Sequence, residues 1–126
     1  MSSVLIIEDD HSIQAILQRI MRNKFGFEIY EAVNGIEGLK IFEKILPDLI
    51  LLDISMPFMS GIEFLEAIKK EPRLKDIPVL VISANHQREL IDQMIKLGVN
   101  DYILKPMDLE ATYSRIGKVI DKIKKD

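Results

Sequence analysis

The chain has no cysteine and no tryptophan, and aromatic residues make up only 6% of it. Without cysteine there can be no disulfide framework, thiolate nucleophile or cysteine-ligated zinc. Long hydrophobic runs are missing too, and none approaches the ~20 residues needed to span a bilayer. The first run, Val4-Leu5-Ile6-Ile7, passes straight into Glu8-Asp9-Asp10. It lacks the basic start and small-residue cleavage site of a secretion signal, so a cytoplasmic location is the expectation. Positive charge is not in excess. The net charge is −3, whereas a nucleic-acid surface needs a concentrated basic patch. Direct contact with nucleic acid or membrane is therefore not expected. The one basic cluster, Lys118 to Lys125, is broken by Asp121 and by apolar residues at helical spacing. It reads as the solvated side of a last helix.

What is present is the composition of a globular domain. The 126 residues are 48% hydrophobic and 29% charged, which suits one domain over 1–126 with a single core. Four short apolar runs carry a strand signal: Val4–Ile7, Phe27–Tyr30, Leu49–Leu52 and Val79–Ile82. A weaker fifth, Tyr102-Ile103-Leu104, follows Gly98. The first, third and fourth of these are apolar throughout rather than alternating, as in strands buried on both faces of a parallel sheet. The intervening stretches have helical period: Ile13, Ile16, Leu17, Ile20 and Met21 fall on one stripe, and so do Leu90, Ile91, Met94, Ile95 and Leu97. Leu109, Tyr113, Ile116, Ile120 and Ile123 make the last helix amphipathic. Gly26 and Gly98 stand where helix C-caps are wanted. The pattern predicts an α/β fold, (βα)5, in which right-handed crossovers give a doubly wound five-stranded parallel sheet.

Ligands of such sheets sit at the carboxyl ends of the strands. The first strand ends in Glu8-Asp9-Asp10, the third in Asp53, the fourth in Ser83 and the fifth in Lys105. Carboxylates, a hydroxyl and an ammonium are thus expected along one edge. Each piece alone has an ordinary explanation: Asp10 as a helix N-cap, Ser83 as the start of a helix, Lys105-Pro106 as a plain strand exit. Together they make chemical sense. A compact set of carboxylates suits Mg2+, a hard cation that takes oxygen ligands. A carboxylate beside it can attack phosphorus while lysine and a hydroxyl stabilise the phosphoryl oxygens. Other candidates fail. His11 and His86 have no metal-ligand neighbour at a useful spacing. The glycines form neither G-x-G-x-x-G nor a Walker loop, and Gly35-x-x-Gly38 lies in a predicted helix.

These residues resemble the receiver domains of bacterial two-component response regulators, over essentially the whole chain. The matching pieces are Glu8-Asp9, Asp53-x-x-Met56-Pro57-x-x-x-Gly61, Ser83-Ala84 and Lys105-Pro106, in type, order and separation. The resemblance implies a flavodoxin-like sheet with strand order 2-1-3-4-5. It implies Asp53 as phosphoacceptor, with Mg2+ held by Asp9, Asp53, Glu8 and the backbone carbonyl of Ser55. Lys105 and Ser83 would contact the phosphoryl group, and the peptide before Pro106 would be cis. Ser83 and Tyr102 would form the switch, with the Tyr102 ring turning from an exposed to a buried rotamer. Ser55 and Asn85 occupy the two variable positions that tune hydrolysis. Glu8 replaces the Asp often found first in the acidic pair.

The implied partners are a sensor histidine kinase or histidine phosphotransfer protein, and a downstream protein at the face of helix four, strand five and helix five. Beyond self-phosphorylation from a phosphodonor and self-dephosphorylation, no enzymatic activity is expected. Helix five ends near the C-terminus, so the chain is expected either to act alone or to be a receiver cut from a longer protein. Three readings compete. A flavodoxin-like binding module would need a hydroxyl-rich phosphate loop where Glu8-Asp9-Asp10 stands. A Mg2+-dependent phosphatase with an Asp nucleophile would need a second Asp close after Asp53. A degenerate receiver is disfavoured by the intact Asp9, Asp53 and Lys105. Finally, crowding of Glu8, Asp9 and Asp53 predicts at least one carboxylate pKa raised by repulsion.

Overall fold

The computed structural model describes residues 2–54, 59–85, 87–105 and 108–125, with 124 and 125 described by backbone alone. Five strands alternate with five helices: β1 Ser3–Ile7, α1 His11–Arg19, β2 Glu28–Ala32, α2 Gly35–Ile41, β3 Leu49–Asp53, α3 Gly61–Lys69, β4 Val79–Ser83, α4 Arg88–Lys96, β5 Asp101–Leu104 and α5 Leu109–Lys125. All neighbours in the sheet are parallel, in the order β2-β1-β3-β4-β5, as the resemblance implied.

The apolar runs are explained by the two faces they cover. Val4, Ile6, Leu49, Leu51, Leu80 and Ile82 point to a core shared with Leu17 of α1 and Ile116, Val119 and Ile120 of α5. Leu5, Ile7, Ile50, Leu52, Val79 and Val81 point the other way, onto Phe64, Leu65 and Ile68 of α3 and Met94 of α4. Alternate residues of a strand face opposite sides, so a strand covered on both must be apolar at every position. Each such side chain contributes roughly 1.5–3 kcal/mol when fully buried.

Helix starts are set by side chains that satisfy unpaired backbone donors. Asp10 accepts from the N–H groups of Ser12 and Ile13, and Asn34 accepts from that of Glu37. Ser60 and Glu63 form a reciprocal capping box on α3. Gly26 and Gly98 have φ of 68° and 84°, a left-handed conformation that costs glycine little. Among the described residues no helix is long and apolar enough to cross a membrane.

Three expectations are corrected. The second strand runs Glu28–Ala32 rather than Phe27–Tyr30, because pairing of Ser3–Ile7 with those residues sets its register. Phe27 is buried but lies before the strand, its N–H bonded to the Met21 carbonyl at 2.9 Å. A π-helical turn, Ile20–Lys24, follows α1, and both Ile20 and Met21 enter the core from it. The apolar stripes are also less completely covered than their spacing suggested. Ile16 of α1 and Leu109 of α5 are exposed, and in α4 only Met94 is buried while Ile95 is 63% exposed.

Candidate functional site

Strand register assembles the site. Ile7 pairs with Leu52, so the next residues, Glu8 and Asp53, emerge side by side. Asp53 pairs with Ile82, which puts Ser83 just beyond it, and Ser83 pairs with Leu104, which does the same for Lys105. The Lys105 N–H closes the row on the Ser83 carbonyl at 2.9 Å. A slip of one residue in any pairing would turn these side chains to the wrong face.

The carboxylates of Glu8, Asp9 and Asp53 each offer an oxygen, and these lie within 4.8 Å of one another. Glu8 and Asp53 are buried, Asp9 is exposed. Glu8 is held at several points. Its N–H donates to the Ala32 carbonyl at 3.0 Å, and its Oε2 accepts from the Asp10 N–H at 3.2 Å. Its Oε1 lies 2.9 Å from the Lys105 Nζ, which stands 3.7 Å from Asp53 Oδ2. Burial, more than the nearby Asp53 charge, pushes the Glu8 carboxyl up from 4.5 to about 7, even though Lys105 and the Asp10 N–H pull it down. A raised carboxylate was expected from crowding; the larger cause is desolvation. Partial burial disfavours the Lys105 charge, but Glu8, Asp53 and Asp10 outweigh it and hold its pKa above the ordinary value.

The remaining expected residues take distinct places. Asp10 caps α1. The fully buried Ser83 ends β4, and its Oγ accepts from the Asn85 N–H at 3.1 Å. The Asn85 Oδ1 accepts from the Gln87 N–H at 2.9 Å, and the Asn85 carbonyl accepts a short hydrogen bond from the Tyr102 hydroxyl. Tyr102 is half-buried: its hydroxyl reaches that carbonyl and its ring packs on the core. His11 is exposed. Ser55, Met56 and Pro57, the Pro106 peptide and His86 lie outside the described residues.

Two residues add to the site: Gln14, which had no place in the sequence pattern, and Gly61, which closed the Asp53 motif without an assigned role. Gln14 is a buried amide whose Nε2 approaches the Glu8 carbonyl at 3.5 Å; a polar residue on the inner stripe of α1 was the signal. Gly61 lies against the backbone that follows Asp53. A Cβ there would stand 2.6 Å from the Ile54 Cα and 2.9 Å from the Asp53 carbonyl oxygen, while its N–H donates to the Ile54 carbonyl at 2.9 Å.

The carboxylate group fits a hard, oxygen-preferring divalent cation such as Mg2+, because all three donors are carboxylate oxygens and two belong to buried residues. A doubly wound sheet presenting such a cluster beside a lysine and a hydroxyl defines a signalling domain of the phosphoryl-accepting class. The sequence agrees. It matches the family model for the response regulator receiver domain over residues 4–117, and the chain belongs to that family. It is 34% identical to the DNA-binding dual master transcriptional regulator RpaA of Synechocystis over 92% of this chain and 48% of that protein. It is 32% identical to sporulation initiation phosphotransferase F of Bacillus subtilis over 93% of this chain and 92% of that one. The chain thus spans about half the length of some relatives and nearly all of others. Among solved structures, a CheY-like receiver domain from Methanospirillum hungatei superposes with a TM-score of 0.89 at 26% identity, covering 99% of this chain and 98% of that one. Receiver domains of this family act in phosphorelay signalling. Receiver domains are phosphorylated by histidine kinases or phosphotransfer proteins and bind Mg2+ in an acidic pocket.

Proposed function

We propose that the chain, as one receiver domain over 1–126, accepts a single phosphoryl group on Asp53 and relays that event to a protein partner. The observation that carries this reading is the row Glu8, Asp53, Ser83, Lys105 laid out by register along one sheet edge. An Asp53 carboxylate oxygen forms the new P–O bond. The P–N bond of a phosphohistidine breaks and its imidazole takes a proton, or the P–O bond of a small acyl phosphate breaks and the carboxylate leaves as the anion. Lys105 and Ser83 contact the transferred group. Glu8, Asp9, Asp53 and the Ser55 carbonyl would hold Mg2+, which would supply positive charge against the phosphoryl oxygens. Ser55 and Asn85 tune hydrolysis of the acyl phosphate, and the protein performs no turnover beyond its own phosphorylation and dephosphorylation.

The donor is a sensor histidine kinase or phosphotransfer protein in the cytoplasm. The output surface is the face of α4, β5 and α5, supported by exposed Ile95, Leu104 and Leu109 on those elements. No direct nucleic-acid or membrane contact is part of this reading.

Intact-mass analysis tests it. Acetyl phosphate with Mg2+ should add one phosphoryl group, labile to hydroxylamine, that EDTA suppresses and Asp53→Asn abolishes. Unchanged labelling of Asp53→Asn would overturn the assignment.

A further inference from the structure

The chain between β3 and α3 is seated on a glycine of another element. Gly35, the first residue of α2, is buried. A Cβ there would stand 2.8 Å from the Met59 Cγ, 2.9 Å from its Sδ and 3.0 Å from its Cβ, so the Met59 side chain lies directly on the bare Gly35 Cα. Met59 also packs against the core cluster that holds Ala32, Ile54 and Phe64. Nearby, Gly61 presses against the Ile54 Cα and donates to the Ile54 carbonyl. Met59 and Gly61 together tie the segment that follows Asp53 to α2 and to the end of β3. Met59 is half-buried, whereas Met21 and Met94 have no exposed surface. Among the described methionines it is therefore the one within reach of an oxidant in solvent. Met1, Met56 and Met107 lie outside the described residues.

We propose that Met59 is a redox-modification site: conversion of its thioether to the sulfoxide lifts the side chain off Gly35 and displaces the segment after Asp53, so that phosphoryl acceptance falls until the sulfoxide is reduced. The inference rests on the receiver reading above. A peroxide is the oxidant. The sulfur lone pair attacks one peroxide oxygen, the O–O bond breaks, and the second oxygen leaves as hydroxide. That hydroxide takes the proton from the oxygen now on sulfur and becomes water, so the sulfur is oxidised and the peroxide reduced.

Packing turns this small change into a displacement. On the Gly35 side there is no room for an added atom, because even a Cβ would overlap the thioether. Turned toward the core, the sulfoxide oxygen would be a polar group without a hydrogen-bond partner, which is unfavourable. It is satisfied in water, and turning there withdraws the side chain from Gly35 and the core. The Asp53 carboxylate has to meet phosphorus in line, and a misplacement of about 1 Å can cost on the order of a hundredfold in rate.

The experiment treats the parent and Met59→Leu with graded hydrogen peroxide. Peptide mass spectrometry locates methionine sulfoxide, and labelling of Asp53 by acetyl phosphate is then timed at saturating Mg2+. Leucine keeps an apolar side chain of similar volume but has no sulfur to take up oxygen. In the parent, Met59 should be oxidised well before Met21 and Met94. The labelling rate should fall about tenfold as Met59 sulfoxide accumulates, while the melt stays cooperative. Methionine sulfoxide reductases should restore the rate, and Met59→Leu should keep most of its rate at the same peroxide dose. Oxidation of Met21 or Met94 as early as Met59 would overturn the site. So would an oxidised Met59 with an unchanged labelling rate, or an equal loss of rate in Met59→Leu. Loss of labelling that comes only with loss of the cooperative melt would overturn the displacement, a readout that needs no variant to fold. An unoxidised parent that never labels would instead overturn the receiver reading beneath it.

Discussion

Glu8 carries an electrostatic cost in the site. Its folded pKa of about 7 lies above the ordinary 4.5, with burial the first cause. A raised carboxyl binds its proton more tightly in the folded chain than in the unfolded one. Its contribution to stability is therefore present below about 4.5 and is lost as pH climbs through about 7. In metal-free buffer, Glu8→Gln should gain on the parent across that window, by on the order of 3 kcal/mol at 1.36 kcal/mol per pKa unit. Melting curves of both proteins from pH 4 to 8 check this, and a difference flat with pH would show that Lys105 cancels the burial cost. Gly61 makes a second, steric point. Two of the three atoms its Cβ would strike, the Ile54 Cα and the Asp53 carbonyl oxygen, belong to the backbone, which cannot rotate aside. Gly61→Ala should cost about 1–3 kcal/mol, as overpacking does, and should slow labelling of Asp53 as well. Chemical denaturation and intact mass read the two effects separately.

At the scale of elements, Asn85 ties the loop from β4 to α4 to β5. Asn85 donates to Ser83, accepts from Gln87 and accepts the Tyr102 hydroxyl. Movement of Ser83 toward a phosphoryl group should therefore act on Tyr102 through the Asn85 backbone, and on the start of α4 through the Asn85 side chain. Helix α4 is suited to respond, because Met94 is its one buried residue, with Leu90 only partly buried against the core. Beryllofluoride should shift amides from Gln87 to Leu97 and around Tyr102 in NMR spectra of the parent. In Ser83→Ala the ligand should still bind while those distant shifts fall by half or more. Full persistence of the shifts would mean the signal leaves the site by another route. The spacing of Ser83 and Tyr102 in the sequence permits this coupling, but the hydrogen bond through Asn85 is a product of the loop's fold.

For the molecule as a whole, cation binding and folding should be linked. A ligand that binds only the folded chain adds about 2.7 kcal/mol at a hundredfold excess over its Kd. Mg2+ should therefore raise the melting temperature by several degrees, and by less in Asp9→Asn or Asp53→Asn; equal shifts in all three would place the ion elsewhere. By itself the sequence determined the alternation of strands and helices, because a strand covered on both faces must be apolar at every position, as Val4–Ile7, Leu49–Leu52 and Val79–Ile82 are. It determined which acids, hydroxyl and lysine follow the strands, since strand ends are where apolar runs stop. The tertiary structure decided what depends on neighbours distant in the chain. Pairing with β1 moved β2 to Glu28–Ala32. Packing left Ile16, Ile95 and Leu109 in solvent although their spacing matches the buried stripes. Burial and the reach of Lys105 singled out Glu8, not Asp9, as the desolvated acid of the pair. Hydrophobic period is local and survives in one dimension, whereas register, desolvation and ion pairing are fixed only when separate strands meet.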